Sequence, residues 1–207
     1  MSKSKPLISI LDYQAGNIKS VENALIYSGA EAVITSDPDT IDRSDAIVFP
    51  GQGSCISSMS NIQSKGLDDT IKKAILSGKP FLGICLGLQL LLDRSEEGDT
   101  DCLGIIEGDV KRFGDDLKIP HMGWNKVYFN SEHPVFLDIP DGAYFYFIHS
   151  YYAVPSDASL ISSTTEYGIE FCSSITFDNV VAVQFHPEKS GETGLKVYGN
   201  FVNFVNS

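Results

Sequence analysis

The chain has no tract of lysine or arginine, and its 15 basic residues are outnumbered by 27 acidic ones for a formal net charge of −12. Phosphate backbones are held by clustered cations, so no nucleic-acid partner is expected. No stretch approaches the ~18 apolar residues of a membrane helix, so no membrane partner is expected either. The opening "MSKSKPLISILDY" has two lysines but too short an apolar run for a secretory signal. Cysteine is scarce: Cys55, Cys85, Cys102 and Cys172 form no C-x-x-C pair. That usage fits free thiols in a reducing, cytoplasmic compartment. Neither the cysteines nor His121, His133 and His149 have metal-ligand spacing, so no metal is expected. A phosphate loop of the G-x-x-x-x-G-K-[ST] kind is missing, as are internal repeats and low-complexity segments. The aromatic run "YFYFIHSYY" reads as core strand, and no cofactor is expected from it.

What is present suits one globular domain spanning 1–207, since 43% of the 207 residues are hydrophobic. Segments 7–12, 32–36, 46–51 and 80–84 are short apolar runs that predict buried strands. Helical spacing is predicted over 16–30, 67–77, 86–95 and 191–205. Strands alternating with helices predict an α/β fold with a largely parallel sheet covered on both faces. Past about residue 100 the runs "GDVKRF", "NKVYF", "AYFYFIHSYYAV", "LISSTT", "IEFCSSITF" and "VVAVQFH" are strand-like, which predicts antiparallel additions to that sheet.

The segment "FLGICLGLQLL" (81–91) sets Cys85 between Gly83 and Gly87 at a strand-to-helix corner. G-x-C-x-G has the form of a nucleophile elbow, in which small neighbours let strand and helix approach and the thiol stands above the sheet. The Leu86 amide would point into the same space and bind an oxyanion. The pentapeptide alone equally suits a small apolar residue in a tight turn. Downstream, "VVAVQFHPEKSG" (180–191) ends a strand at His186, with Glu188 two residues on. A carboxylate on one ring nitrogen leaves the other to serve a nucleophile, so Cys85, His186 and Glu188 fill the roles of nucleophile, base and orienter. The third element, "FPGQGSC" (49–55), ends a strand in Pro-Gly-x-Gly, whose free backbone amides would complete the oxyanion hole; taken alone it equally suits a plain glycine-rich turn.

"PGQG", "GICLGLQ" and "FHPEKS", in that order, resemble the motifs of the triad (class I) glutamine amidotransferases, and the resemblance spans essentially the whole chain. "SEEG", "GDVKRF", "IPHMGWN", "YFIHSYYA" and "GLKVYGNF" are similar to segments of the glutaminase subunits of imidazole glycerol phosphate synthases. The resemblance implies the class I glutamine amidotransferase fold and hydrolysis of L-glutamine by Cys85, His186 and Glu188. It implies an oxyanion site at Gly51, Gln52, Gly53 and Leu86. Gln89, Ser150 and Tyr151 would hold the glutamine, the last two through main-chain groups, and Glu97 would meet its α-ammonium. The implied partner is a cyclase with a (β/α)8 barrel, forming a heterodimer through which ammonia is channelled, with Asn17 and Trp124 near the interface. In such enzymes activity is weak until the cyclase binds its nucleotide-derived substrate, and the Pro-Gly-x-Gly strand changes conformation on activation.

Two positions depart from the pattern: Gln52 stands where a small aliphatic residue is usual, and Cys55 where an aromatic is commoner. The first leaves room for a paralogue that supplies ammonia to another pathway, such as surface-sugar synthesis. A stand-alone cysteine hydrolase and a catalytically silent subunit are the other readings. "IPHMGWN" speaks against the former, and the full set of Cys, His and Glu against the latter. Cys102 and Cys172 read as small buried hydrophobes. His149 reads as a satisfied core histidine, and Trp124 equally as an interface anchor or an ordinary aromatic.

Overall fold

The structure, a computed structural model, describes residues 5–14 and 16–207. Residues 1–4, the start of the stretch judged too short for a signal, lie outside the described residues, as does residue 15. The first half runs β1 (Leu7–Leu11), α1 (Ile18–Tyr27), β2 (Glu31–Thr35), α2 (Pro38–Arg43), β3 (Ala46–Gly51), α3 (Cys55–Ser64), α4 (Leu67–Leu76), β4 (Phe81–Cys85) and α5 (Leu86–Gln89). The second half runs β5 (Arg94–Ser95), β6 (Thr100–Asp101), β7 (Gly108–Arg112), β8 (His121–Phe129), β9 (Ala143–His149) and β10 (Tyr151–Pro155). It ends with β11 (Ile161–Tyr167), β12 (Ile169–Phe177), β13 (Val180–Val183) and α6 (Gly191–Val205).

The sheet follows the order β2-β1-β3-β4-β13-β12-β10-β7-β5-β6. Its first five strands are parallel. From β13 onward the pairs β13–β12, β12–β10 and β10–β7 are antiparallel, and β11, β8 and β9 extend from β12 as a side branch. This is the α/β architecture with antiparallel additions expected from the sequence. Side chains of the parallel strands alternate between two cores. Ile8, Val48, Leu82 and Val181 pack with α1 and α6 on one face; Ile47, Phe49, Phe81 and Val180 pack with α3 and α4 on the other. A strand buried on both faces takes apolar residues at almost every position, which is why β3, β4 and β13 show no polar alternation; β1 carries the buried Ser9.

Three expectations need revising. The helix predicted over 86–95 is a single turn, Leu86–Gln89. Leu90, Leu91 and Leu92 are all fully buried, so this stretch has no polar face. The amides of Leu103, Gly104 and Ile105 take the carbonyls of Leu90, Leu92 and Leu91, which stops the helix. Two helices were not foreseen. α2 has a local signature: Pro38 at its first turn and an Asp37 side chain accepting from the Thr40 amide at 3.0 Å. α3 has none, because its first amide, that of Cys55, donates to Glu97 Oε2 at 2.7 Å, 42 residues away.

Candidate active site

Cys85 ends β4 with φ 54° and ψ −107°, a left-handed backbone that a side-chain-bearing residue rarely adopts. The neighbouring glycines make this corner possible. A Cβ on Gly87 would collide with the Phe49 carbonyl of β3, and one on Gly83 would sit 3.0 Å from the Gly87 carbonyl. The elbow expected from G-x-C-x-G is therefore formed, with Cys85 6% exposed. In the β3–β4 ladder Gly51 stands opposite Cys85. A Cβ on Gly51 would lie 2.6 Å from Leu86 Cβ and 2.8 Å from the Gly87 nitrogen, so only glycine lets the two segments meet. Gly53 has φ +113°. Tyr13 ties the same strand down by donating its hydroxyl to the Pro50 carbonyl at 2.6 Å. Burial, then the charges of Cys85 and Cys55, raise the Tyr13 pKa and keep it a donor.

His186 follows β13 and is 1% exposed. Its Nδ1 lies 2.9 Å from Glu188 Oε1. Its backbone is held at both ends, the amide donating to Tyr146 O at 2.9 Å and the carbonyl accepting Ser190 Oγ at 2.7 Å. His186 Nε2 is buried and without a hydrogen-bond partner among the described residues. Burial acts most strongly on the ring and favours its neutral form. The Cys85 sulfur, followed by Glu188, overcomes burial and holds the pKa up at about 10. Glu188 occupies Nδ1 and the Cys85 sulfur acts on the same ring, so Nε2 is the nitrogen left to serve a thiol nucleophile.

Cys85, Leu86, Gln52 and Gly53 line one cavity of about 340 Å³, and Gln89, Glu97, Ser150 and Tyr151 line it too. Eight residues expected from the sequence are thus brought to one small chamber, with the thiol in its wall. Some are committed in ways the sequence did not reveal. Gln89 Nε2 donates to Tyr151 O at 2.8 Å and to Gln184 Oε1 at 2.9 Å, leaving its carbonyl oxygen to meet a ligand. The carbonyls of Ser150 and Tyr151 accept from the Phe113 amide and the Gln89 amide, so they serve the scaffold. One Glu97 oxygen caps α3. The Gln52 side chain points toward Gly16, 3.4 Å from where a Cβ there would sit, and its Nε2 is buried without a partner among the described residues.

Asn17 and Trp124 do not line the chamber. Asn17, expected near a partner, turns its side chain inward and donates to Glu188 Oε1 at 2.9 Å. Trp124 is 55% exposed on β8, beside Met122 at 58%. Their neighbours across the ladder on β9, Tyr146 and Ile148, are half-buried, and Ile148 lines the chamber. His149 is buried and fully bonded, as expected of a core histidine, and it also lines the chamber. Cys172 is buried, which pushes its thiol up to about 12. Cys102 is only partly buried, and its sulfur lies 3.6 Å from that of Cys55. No group of three or more His, Cys, Asp or Glu among the described residues is placed to hold a metal.

Two residues were missed. Gln184 Nε2 reaches the Cys85 sulfur at 3.5 Å. Its signal was a lone polar residue in the apolar run "VVAVQFH", two before the histidine. Tyr198 of α6 is fully buried, and the Glu188 charge adds to burial in raising its pKa. Nothing in the local sequence of a helix reports that partner.

A family model described as "Glutamine amidotransferase class-I" matches residues 9–203. An "Imidazole glycerol phosphate synthase subunit HisH" of Dehalococcoides mccartyi (strain 195) is 50% identical over 196 residues, covering 94% of this chain and 96% of that protein. The "HisH 1" protein of Methanococcus maripaludis is 49% identical over 204 residues, covering 96% of this chain and 100% of the relative. A solved structure called "PurLQS from Thermotoga maritima" superposes with a TM-score of 0.75 over 97% of this chain and 99% of that one. A "glutamine amidotransferase" structure also reaches 0.75, over the same shares. At 19% and 18% identity these two show the fold alone.

Proposed function

The chain belongs to the class-I glutamine amidotransferases, and from that premise we propose that it is the glutaminase subunit of an imidazole glycerol phosphate synthase. It hydrolyses L-glutamine to glutamate and ammonia, and the ammonia passes to a cyclase partner that makes imidazole glycerol phosphate and AICAR in histidine biosynthesis. What supports this reading most is a cysteine on a strained elbow, in the wall of a small chamber, with an unpaired histidine nitrogen beside it.

With the thiol's proton held on His186, the Cys85 sulfur attacks the side-chain amide carbon. The oxyanion is met by main-chain amides of Gly51, Gln52, Gly53 and Leu86. His186 returns the proton to the departing nitrogen, ammonia leaves, and a glutamyl thioester remains. His186 then removes a proton from water, the hydroxide attacks the thioester, and glutamate is released with the thiol restored. Glu188, on the far side of the ring, holds the tautomer and stabilises the imidazolium that forms twice per turnover. Gln89 and Glu97 hold the amino-acid end of the substrate.

Residues 1–207 act as one glutaminase domain, in a cytoplasmic heterodimer with a (β/α)8-barrel cyclase. No helix among the described residues is long and apolar enough to cross a membrane. The exposed Met122, Trp124 and Tyr144 of the β8–β9 hairpin supply an aromatic face for that partner. The test is glutamate release by the chain alone and with the cyclase carrying its nucleotide-derived ligand. Weak activity raised by the loaded partner is expected. Strong activity of the lone chain, unchanged by the partner, would make it a stand-alone hydrolase.

A further inference from the structure

A line of hydrogen bonds runs from strand β8 to the nucleophile, and its proton order follows from one end. The Tyr151 carbonyl can only accept, so His149 Nδ1, 2.8 Å away, carries a proton. In a neutral ring His149 Nε2 is then an acceptor, and His121 Nδ1, 3.0 Å away, donates to it. That leaves His121 Nε2 as an acceptor for the Asn125 carboxamide at 3.2 Å. Asn125 is held in this sense because its Oδ1 accepts the Lys126 amide at 2.8 Å and its Nδ2 also donates to Glu166 O at 2.9 Å. Beyond Tyr151 the same carbonyl accepts Gln89 Nε2, which donates its other hydrogen to Gln184 Oε1. Gln184 Nε2 in turn points its hydrogen at the Cys85 sulfur.

The surroundings suit this assignment. His121 lies stacked between Phe147 and Tyr167, with ring centroids 5.0 and 4.0 Å away. His149 packs against Phe113 and Phe171 at 5.3 and 5.2 Å. Apolar side chains would fill this box equally well. What two neutral, hydrogen-bonded rings add is a single permitted orientation for the carbonyl they address.

We propose that His121 and His149 are positioning residues for glutamine hydrolysis. As an ordered pair they fix the Tyr151 carbonyl, and through it the Gln89 amide and the Gln184 amide that points at the Cys85 sulfur. The pair thereby connects β8, whose outer face carries Met122 and Trp124, with the nucleophile. Neither ring touches the reacting atoms. The inference rests on the glutaminase reading.

The test uses the full chain in complex with its cyclase. His121→Leu and His149→Leu remove the relay. His121→Asn and His149→Asn each keep an amide nitrogen near the Nδ1 position, which restores the inward bond. The leucine variants are expected to lose roughly 10- to 100-fold in kcat for glutamine, as a small misalignment does. Their KM should stay within about threefold, and the asparagine variants should recover most of kcat. Wild-type kcat in the leucine variants would overturn the proposal, as would asparagine variants damaged as badly as leucine ones. Should the leucine variants not fold, nitrogen NMR of the wild-type rings decides. Protons on both Nδ1 atoms support the relay, and protons on Nε2 or on both nitrogens overturn it. Absence of glutamine hydrolysis in the wild-type complex would fail the glutaminase reading instead, which the ring measurement does not depend on.

Discussion

Asn17 Nδ2 and His186 Nδ1 both converge on Glu188 Oε1, each at 2.9 Å. The carboxylate that orients the base is itself oriented by a residue 171 positions away in the chain. Asn17 is set for this by φ 61° and by Ser20, whose hydroxyl donates to its Oδ1 at 2.7 Å. Asn17→Ala is expected to lower kcat for glutamine about tenfold while the protein stays folded, because Glu188 loses one of the donors that fix it. Asn17→Asp is expected to cost more, since it sets a second carboxylate against the first. Glutamate release at saturating glutamine, with circular dichroism as the fold control, checks both.

Cys85→Ala should abolish glutamine-dependent turnover and leave synthesis from added ammonia intact in the complex. A glutamine-like electrophile should label Cys85 and spare Cys55, Cys102 and Cys172, because only Cys85 lines the chamber. Peptide mass mapping locates the adduct, and an adduct on another cysteine would remove the nucleophile assignment.

Trp124→Ala is expected to weaken cyclase binding by at least about tenfold, as removal of an exposed aromatic anchor does. Glutamate release by the isolated chain should not change, since Trp124 lies outside the chamber. Titration of the cyclase by calorimetry measures the first effect and a coupled glutamate assay the second.

Stability should fall on acidification. Burial lowers the pKa of His121 to about 4 and of His149 to about 3. For His149 the charges of His121 and His186 add to burial, against the bond to Tyr151. Below ~6.5 the unfolded chain takes up protons that the folded rings refuse. Their contribution is therefore whole above ~6.5 and is lost on the way down, at up to about 1.4 kcal/mol per pH unit for each ring. His186 has the opposite sign: with its pKa held at about 10, its contribution is whole below the unfolded value and lost as pH rises toward 10. The melting temperature is expected to drop between about pH 6.5 and about pH 4.5, and to drop less steeply in His149→Asn. Differential scanning calorimetry across that range checks it.

The parallel half of the fold was legible because burial on both faces leaves unbroken apolar runs such as "AIVFPG" and "PFLGI". The same burial misled at 86–95, where Leu86, Leu88, Leu90, Leu91 and Leu92 resemble a helix although amides of the β6–β7 loop take the carbonyls of the last three. The elbow, the His186–Glu188 pair and most of the chamber were legible because each sits in a short motif whose geometry is local. Asn17 on Glu188, Glu97 on the Cys55 amide and Gln184 on Cys85 were not. Those bonds join positions 171, 42 and 99 residues apart, and neither end carries a mark of the other.

Gly51 and Cys85 are partners in one ladder of the central sheet. The nucleophile and the strand that faces it are thus aligned by interior main-chain bonds, with no mobile loop between them. Heat inactivation should therefore track melting of the whole molecule, with no earlier stage at which the protein is folded but dead. Any adjustment of the Gly51–Gly53 segment on activation has to begin beyond that last rung, which confines it to the two or three peptide units before α3.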